Sequence, residues 1–354
     1  MTKSGTIRWG ISGTGSIARQ FAADIGHAAN ARLTSVAGRS ADKVEAFIGP
    51  LQGVTGFHSL DDMIVSGLVD AVYVATSNTV HLDQTLACIG AGMPVLVEKP
   101  LTASLPEALE IRSAARSSGS FVMEAMWARY LPAFTAARNA IRAGAIGKVR
   151  HFQADIAWKV PYDSANRLFD RDQGGGALHD IGVYPLSLAR CVLGTPRAVE
   201  GKWRAAPSGV DIGALISLSF ADATATITCG FDRDGTNQLV IEGDDGVLVL
   251  GPLFINATGF AICKSRAIAN LAVPGGSGMQ ARIRRKLFRH LPLPGVAHHQ
   301  HPFPGSGLQF EIEAASKAIL SGFAEEPGNP LDDTLAVLEM IDAVLARQAE
   351  TSAT

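Results

Sequence analysis

An apolar run at residues 7–12 breaks into Gly13-Thr14-Gly15-Ser16-Ile17-Ala18, after which Ile17, Phe21 and Ile25 recur at helical spacing. A strand, a glycine turn and an amphipathic helix in that order leave few folds open. Gly13 permits the tight turn and Gly15 lets the backbone approach a pyrophosphate. Ala18 keeps the helix close to the strand, so that amides at the helix start, from Thr14 to Ile17, face the phosphates. Further strand candidates at 33–37, 71–75, 94–97 and 121–123 alternate with helical segments. Ser59 with Asp62, and Ser104 with Glu107, set a hydroxyl three residues before a carboxylate, as at helix starts. This rhythm predicts a doubly wound parallel sheet of the Rossmann type over residues 1–124.

After Glu124 the rhythm changes. Strand candidates at 149–157, 199–204, 214–220, 223–229, 238–242 and 247–250 are separated by turn residues. They predict a second α/β domain over 125–354 with an open, mostly antiparallel sheet covered by helices on one face. Helical periodicity at 308–320 and 331–346 closes the chain and allows the C-terminal helices to pack back on the first domain. A length of 354 residues suits two domains.

The 33 acidic and 31 basic residues nearly cancel, giving a net charge of -2 and no overall field toward nucleic acid or an anionic membrane. No apolar run approaches the roughly 20 residues of a membrane span. The start, Met1-Thr2-Lys3-Ser4-Gly5-Thr6, has no apolar signal region, so a cytoplasmic protein acting on a small molecule is expected. Cys88, Cys191, Cys229 and Cys263 are far apart and form no C-x-x-C pair, which predicts reduced structural thiols and no metal site.

The second strand ends in Ala37-Gly38-Arg39-Ser40, without the carboxylate that would bond a ribose 2′-hydroxyl. Arg39 and Ser40 suit a 2′-phosphate, which favours NADP(H); if Arg39 is only a solvated charge, NAD(H) stays open. Asp42, the nearest acid, comes too late.

Four segments add a family likeness: Ala75-Thr76-Ser77-Asn78 followed by His81; Val97-Glu98-Lys99-Pro100; Gly174-Gly175-Gly176-Ala177-Leu178-His179-Asp180-Ile181-Gly182-Val183-Tyr184; and Gly307-Leu308-Gln309-Phe310. Together with the glycine turn they resemble the glucose-fructose oxidoreductase, inositol dehydrogenase and rhizopine-catabolism family (Gfo/Idh/MocA). Met123-Glu124-Ala125-Met126-Trp127-Ala128-Arg129-Tyr130, and a tyrosine rather than a histidine four residues after Asp180, resemble its branch of dimeric dihydrodiol dehydrogenases and NADP-dependent xylose dehydrogenases. The resemblance implies an active site between the two domains, with Lys99 and Tyr184 beside the nicotinamide. It also implies cofactor contacts from Thr76, Asn78, His81, Glu98, Trp127 and Arg129, and a homodimer or higher homo-oligomer built on the exposed face of the second sheet. For His81, Trp127 and Arg129 a capping or packing role is equally open.

Hydride transfer to a carbonyl leaves an alkoxide that must be protonated, and the reverse needs a base. Tyr184 suits the task if its phenol, about pKa 10 when free, is lowered by a nearby ammonium such as Lys99. Pro100 disfavours the helical region for Lys99 and holds it extended. Asp180, one helical turn before Tyr184, is placed to bond a second substrate hydroxyl. Trp158 and Arg167 are candidates to line the substrate pocket. The three glycines 174–176 are costly to order and predict a close backbone approach.

The expected activity is NADP-dependent hydride transfer at a CH–OH/C=O carbon of an aldose-like sugar, polyol or cyclic trans-diol. One alternative is an enzyme whose retained nicotinamide is recycled between two substrates or used in glycoside cleavage. Another is a non-catalytic NADPH sensor, which would need neither Lys99, Asp180 nor Tyr184. Residues 276–304 depart from the family pattern. Arg282, Arg284, Arg285, Lys286 and Arg289 read as the solvated face of an inserted helix, and His298, His299 and His301 as a loop without zinc spacing. Such an insertion is expected over the active-site mouth or at a subunit contact.

Overall fold

The computed structural model describes residues 5–276, 278–290 and 293–349, with 289 and 290 by backbone alone. Residues 1–4, on which the expectation of a start without a signal region partly rests, and the Arg289 side chain of the basic cluster therefore lie outside the described residues. The chain divides into two compact units, one reaching to Trp127 and including Pro304–Leu335, the other Ala128–Phe303 with the residues from Ala336 on. The division falls just after the expected boundary at 124, and residues 304–335 belong to the first unit rather than the second.

In the first unit β1 (Ile7–Ser12), α1 (Ser16–Asp24), β2 (Ala31–Ala37), α2 (Ala41–Ile48), β3 (Thr55–Phe57), α3 (Leu60–Val65), β4 (Ala71–Val74), α4 (His81–Gly90), β5 (Val95–Glu98), α5 (Leu105–Ser118) and β6 (Val122–Ala125) alternate. The strands form an all-parallel sheet in the order β3-β2-β1-β4-β5-β6. Every residue of β4, β5 and β6 is buried, which is why these strands are mostly apolar, with Glu98 and Glu124 as the buried exceptions. The edge strand β3 was missed because it is three residues long and only half-buried. Its Gly56 lies against α2, where an added Cβ would come within 2.7 Å of Val44.

Ser59 caps α3 as expected, accepting from the Asp62 amide at 3.0 Å. Ser104 occupies the corresponding position before α5, but its hydroxyl makes no capping bond. The core gathers Trp9, Phe21 and Tyr73, with Phe21 stacked on Tyr73 at 4.0 Å between ring centres and Trp9 edge-on at 5.9 Å. Each such ring contributes about 1.5–3 kcal/mol by burial. Trp9 Nε1 donates to Ser316 Oγ at 2.9 Å, tying β1 to α10 (Leu308–Leu320). At the other end of α10, Asp24 accepts from the Ser306 and Leu308 amides, both at 3.0 Å.

The second unit starts with α6 (Pro132–Arg142) and β7 (Val149–Ala157), followed by α7 (Val183–Leu193) and the hairpin strands β8 (Ala198–Ala205), β9 (Asp211–Ser219) and β10 (Thr224–Gly230). Next come β11 (Leu239–Gly243), β12 (Val247–Leu250), β13 (Gly259–Cys263), α8 (Arg266–Ala272), α9 (Met279–His290) and β14 (Val296–Gln300). A final helix, α11, spans Leu331–Leu345. The sheet runs β14-β13-β12-β11-β7-β10-β9-β8, antiparallel except for the β7–β10 pair. On one face Val240, Val247, Val249, Ala261 and Cys263 pack under Ala269 of α8.

The expected histidine loop is a strand instead. His298 and His299 lie on β14, and the His299 ring stacks on Phe260 at 4.5 Å. Cross-strand stacking of this kind gives a polar edge segment its pairing energy without an apolar run. Cys88, Cys229 and Cys263 are buried free thiols. Burial pushes the Cys88 thiol up to about 12 and the Cys263 thiol to about 11. No group among the described residues has the composition of a metal site.

Candidate active site

In the first unit the glycine turn joins β1 to α1. Gly13 has φ +120, and a Cβ there would stand 2.5 Å from the Ala75 carbonyl at the end of β4. Its glycine is thus required by a close approach of two strand ends as well as by the turn. Gly15 differs: a Cβ would meet nothing within 4 Å. Gly15 and Ser16 are exposed at the start of α1, with Thr14 and Ile17 half-buried beside them. Open space over free helix-start amides is what a pyrophosphate needs, so the residues present fit a dinucleotide.

Arg39 is exposed just beyond β2, with no acid at the strand end. Ser40 is the cap of α2, its hydroxyl accepting from the Lys43 amide at 3.5 Å. Thr76 Oγ1 donates to Gln84 Oε1 at 3.1 Å, and Ser12 Oγ reaches the same oxygen at 3.1 Å. Gln84 thereby ties the ends of β1 and β4 together, a role no sequence pattern announced. Asn78 is buried in the short turn before α4.

His81 is buried with Nδ1 3.1 Å from the Pro100 carbonyl and Nε2 3.3 Å from the Thr76 carbonyl. Burial pulls its pKa down, against the pull of these carbonyls, and the ring lies between the segments after β4 and β5. Lys99 follows β5 and is half-buried; the Lys99–Pro100 peptide is cis. Glu98 faces inward, where its carboxylate accepts from the Tyr73 hydroxyl and, at 3.1 Å, from the Lys99 amide. Burial pushes the Glu98 carboxyl up against the pull of Tyr73 and the Lys99 charge. Trp127, half-buried, ends the main stretch of the unit.

The second unit holds the other candidates. Leu178–Gly182 form a π-helical turn that runs directly into α7, placing Asp180 in the turn and Tyr184, 7% exposed, in the first turn of the helix. The glycines before it are explained by the chain itself. A Cβ on Gly175 would lie 2.6 Å from the Arg167 carbonyl and 2.7 Å from that of Leu168. Gly176, at φ +120, faces the Asp211 carboxylate. Asp211, the buried first residue of β9, accepts from the Leu178 amide at 2.7 Å and caps the turn. Burial pushes its pKa up to about 6, against the pull of the amides.

Arg167 Nη2 meets Asp180 Oδ1 at 3.1 Å, so these two candidates come together. Arg129 is buried and donates to the Ser187 carbonyl of α7 at 3.1 Å, which holds the helix carrying Tyr184. Trp158, half-buried, leaves β7 with its amide on the Gly230 carbonyl at 3.2 Å. His179, beside Asp180, is pulled down to about 4 by burial and is therefore neutral at ordinary pH. Asp211, Gln84 and His179 were not singled out from sequence. Only His179, lying inside the glycine-led segment, carried a positional signal.

A parallel sheet in 3-2-1-4-5-6 order, with a glycine turn opening its first helix, is the architecture of a dinucleotide-binding protein of the doubly wound class. Comparison with known proteins narrows the class. The family profile described as an oxidoreductase family with an NAD-binding Rossmann fold matches residues 7–126, and that of the GFO/IDH/MocA C-terminal domain matches residues 134–249. The scyllo-inositol 2-dehydrogenase (NADP(+)) IolU of Bacillus subtilis (strain 168) is 30% identical over 274 residues, 76% of this chain and 83% of that enzyme. The trans-1,2-dihydrobenzene-1,2-diol dehydrogenase of Mus musculus is 26% identical over 341 residues, 95% of each chain. Among solved structures, an aldose-aldose oxidoreductase from Caulobacter crescentus complexed with glycerol superposes with a TM-score of 0.78 at 24% identity, covering 96% of both chains. The chain belongs to the Gfo/Idh/MocA oxidoreductase family and is an NAD(P)-dependent oxidoreductase.

Proposed function

We propose that the protein is an NADP-dependent dehydrogenase or reductase acting at a CH–OH/C=O carbon of a sugar-like polyol or cyclic trans-diol. One observation carries this reading: Lys99 after β5 and Tyr184 in the first turn of α7 occur in a chain matched nearly end to end by a trans-diol dehydrogenase. The inositol dehydrogenase relative adds a polyol to the substrate class.

When bound, the nicotinamide accepts or supplies the hydride. Tyr184 takes the hydroxyl proton in oxidation and returns it to the alkoxide oxygen in reduction. The Lys99 ammonium favours the tyrosinate and donates a hydrogen bond to the substrate oxygen. Asp180, oriented by Arg167, accepts from a neighbouring hydroxyl, and Trp158 forms part of the pocket wall. Arg129 acts through α7 and His81 through the carbonyls it bridges, so both are positioning residues. Exposed Arg39, with no acid beside it at the strand end, favours a 2′-phosphate. The reading includes a cytoplasmic location, which the free cysteines suit, and a homodimer on the outer face of the second sheet, where Leu215 is 45% exposed.

The test is turnover of Lys99→Met and Tyr184→Phe. Each is expected to lower kcat/KM at least about 100-fold while NADPH still binds. Unchanged turnover in both would remove the mechanism.

A further inference from the structure

Helix α9 keeps one arginine, Arg285, on its half-buried side and exposes three aliphatic side chains on the other. Ala281, Arg285 and Phe288 lie on its half-buried side. There Arg285 Nη1 donates to the Pro274 carbonyl at 2.6 Å and the Gly276 carbonyl at 2.9 Å, and Arg284 Nη2 reaches the Leu271 carbonyl at 3.3 Å. On the opposite side Met279, Ile283 and Leu287 are 77%, 60% and 48% exposed. Their spacing of four aligns them in one stripe, flanked by the exposed Arg282 and Lys286. A helix at a protein surface ordinarily points such a stripe at the core. The helix, MQARIRRKLFRH, contains no acid to offset its bases, although the chain as a whole carries -2.

These features select the occupant. A second copy would bring another uncompensated basic helix against the first, and like charges repel. A nucleic acid would match the bases but leave three aliphatic side chains without a role. An anionic bilayer matches both, because aliphatic side chains enter the acyl boundary while arginine and lysine reach the headgroup phosphates.

We propose that α9 docks this protein reversibly on an anionic phospholipid surface, with Met279, Ile283 and Leu287 entering the interface and Arg282 and Lys286 contacting phosphates. The 12-residue helix is about 18 Å long, so it lies in the interface and does not span it. Three aliphatic side chains alone hold weakly, so the basic residues are required. The net charge of -2 offers no overall attraction of this kind, so α9 itself has to supply it.

The test is co-sedimentation of the full chain with vesicles of phosphatidylcholine mixed with phosphatidylglycerol, against phosphatidylcholine alone. The protein is expected to bind the mixed vesicles only, and less as salt rises. Arg282→Gln and Lys286→Gln should each lower the partition about fivefold. The pair Ile283→Glu/Leu287→Glu should lower it about tenfold or more, with an unchanged melting midpoint because both positions are exposed. Binding to neither vesicle, equal binding to both, or full binding by the Ile283→Glu/Leu287→Glu protein would overturn the proposal. So would a vesicle-free dimer that these two substitutions convert to monomer, since the stripe would then belong to a second copy.

Discussion

Gly15 and Arg39 show how much single residues reveal. The glycine lies under open space and the arginine is exposed beyond β2. Arg39→Ala is expected to raise the NADPH dissociation constant about tenfold or more and to leave NADH nearly unaffected, since a charge-assisted hydrogen bond is worth about 1.5–3 kcal/mol. Fluorescence titration with both nucleotides checks this; an equal effect on the two would return Arg39 to an ordinary surface charge. The glycines at 174–176 were legible as a close approach but not as an approach to what. Their neighbours are the chain's own carbonyls at 167 and 168 and the Asp211 carboxylate. Asp211 opens a later strand with nothing in its local pattern to distinguish it, so the cap it forms follows from tertiary packing. His81 and Arg129, open to two roles from sequence, make backbone contacts that explain their burial by positioning.

Elements that bury both faces were the most legible, because their composition is mostly apolar: β4 is wholly so, and β5 is so up to Glu98. Edge strands were not. β3 is too short, and β14 pairs through histidines that read as loop. Two predictions concern element ends and faces. Gly176→Ala would place a methyl at φ +120 against Asp211, displacing the π-helical turn that leads into α7. A loss of at least about 2 kcal/mol in urea unfolding is expected, with reduced turnover; wild-type stability would mean the turn yields freely.

On α10, Glu311 is fully buried, and neither of its oxygens has a hydrogen-bond partner among the described residues. Burial first, then the carboxylates of Glu98, Glu124 and Asp24, push its pKa well above the usual range. A carboxyl raised in this way keeps its proton after the unfolded chain has lost one. The folded state therefore loses stability as pH rises above about 4, until the folded pKa is passed. Glu311→Gln removes that cost. Its melting midpoint should exceed the wild type's at neutral pH, and the gain should vanish near about pH 4. A lower midpoint at neutral pH would show that the carboxylate is stabilised.

At the scale of the molecule, strand–helix alternation gives way to alternating strands after Glu124, and the chain divides into two compact units. The return of residues 304–335 to the first unit was harder to read, because helical periodicity shows an apolar face but not its partner. In this case the partners are Trp9, bonded to Ser316, and Asp24, which holds the residues at the start of α10. The fold fixes where a dinucleotide fits. The choice of substrate depends on side chains that no periodicity orders, which is why only the class of carbon was legible.

The account rests on NADP-dependent hydride transfer at that carbon. Its most direct test is to titrate the purified protein with NADPH and NADH, then follow nicotinamide absorbance on the same sample with aldoses, inositols, cyclic trans-diols and the corresponding carbonyl compounds. Tighter binding of NADPH and turnover with one of these substrate classes is the predicted result. Tight NADPH binding with no net turnover on any of them would contradict it and leave a protein that holds its nicotinamide for another use.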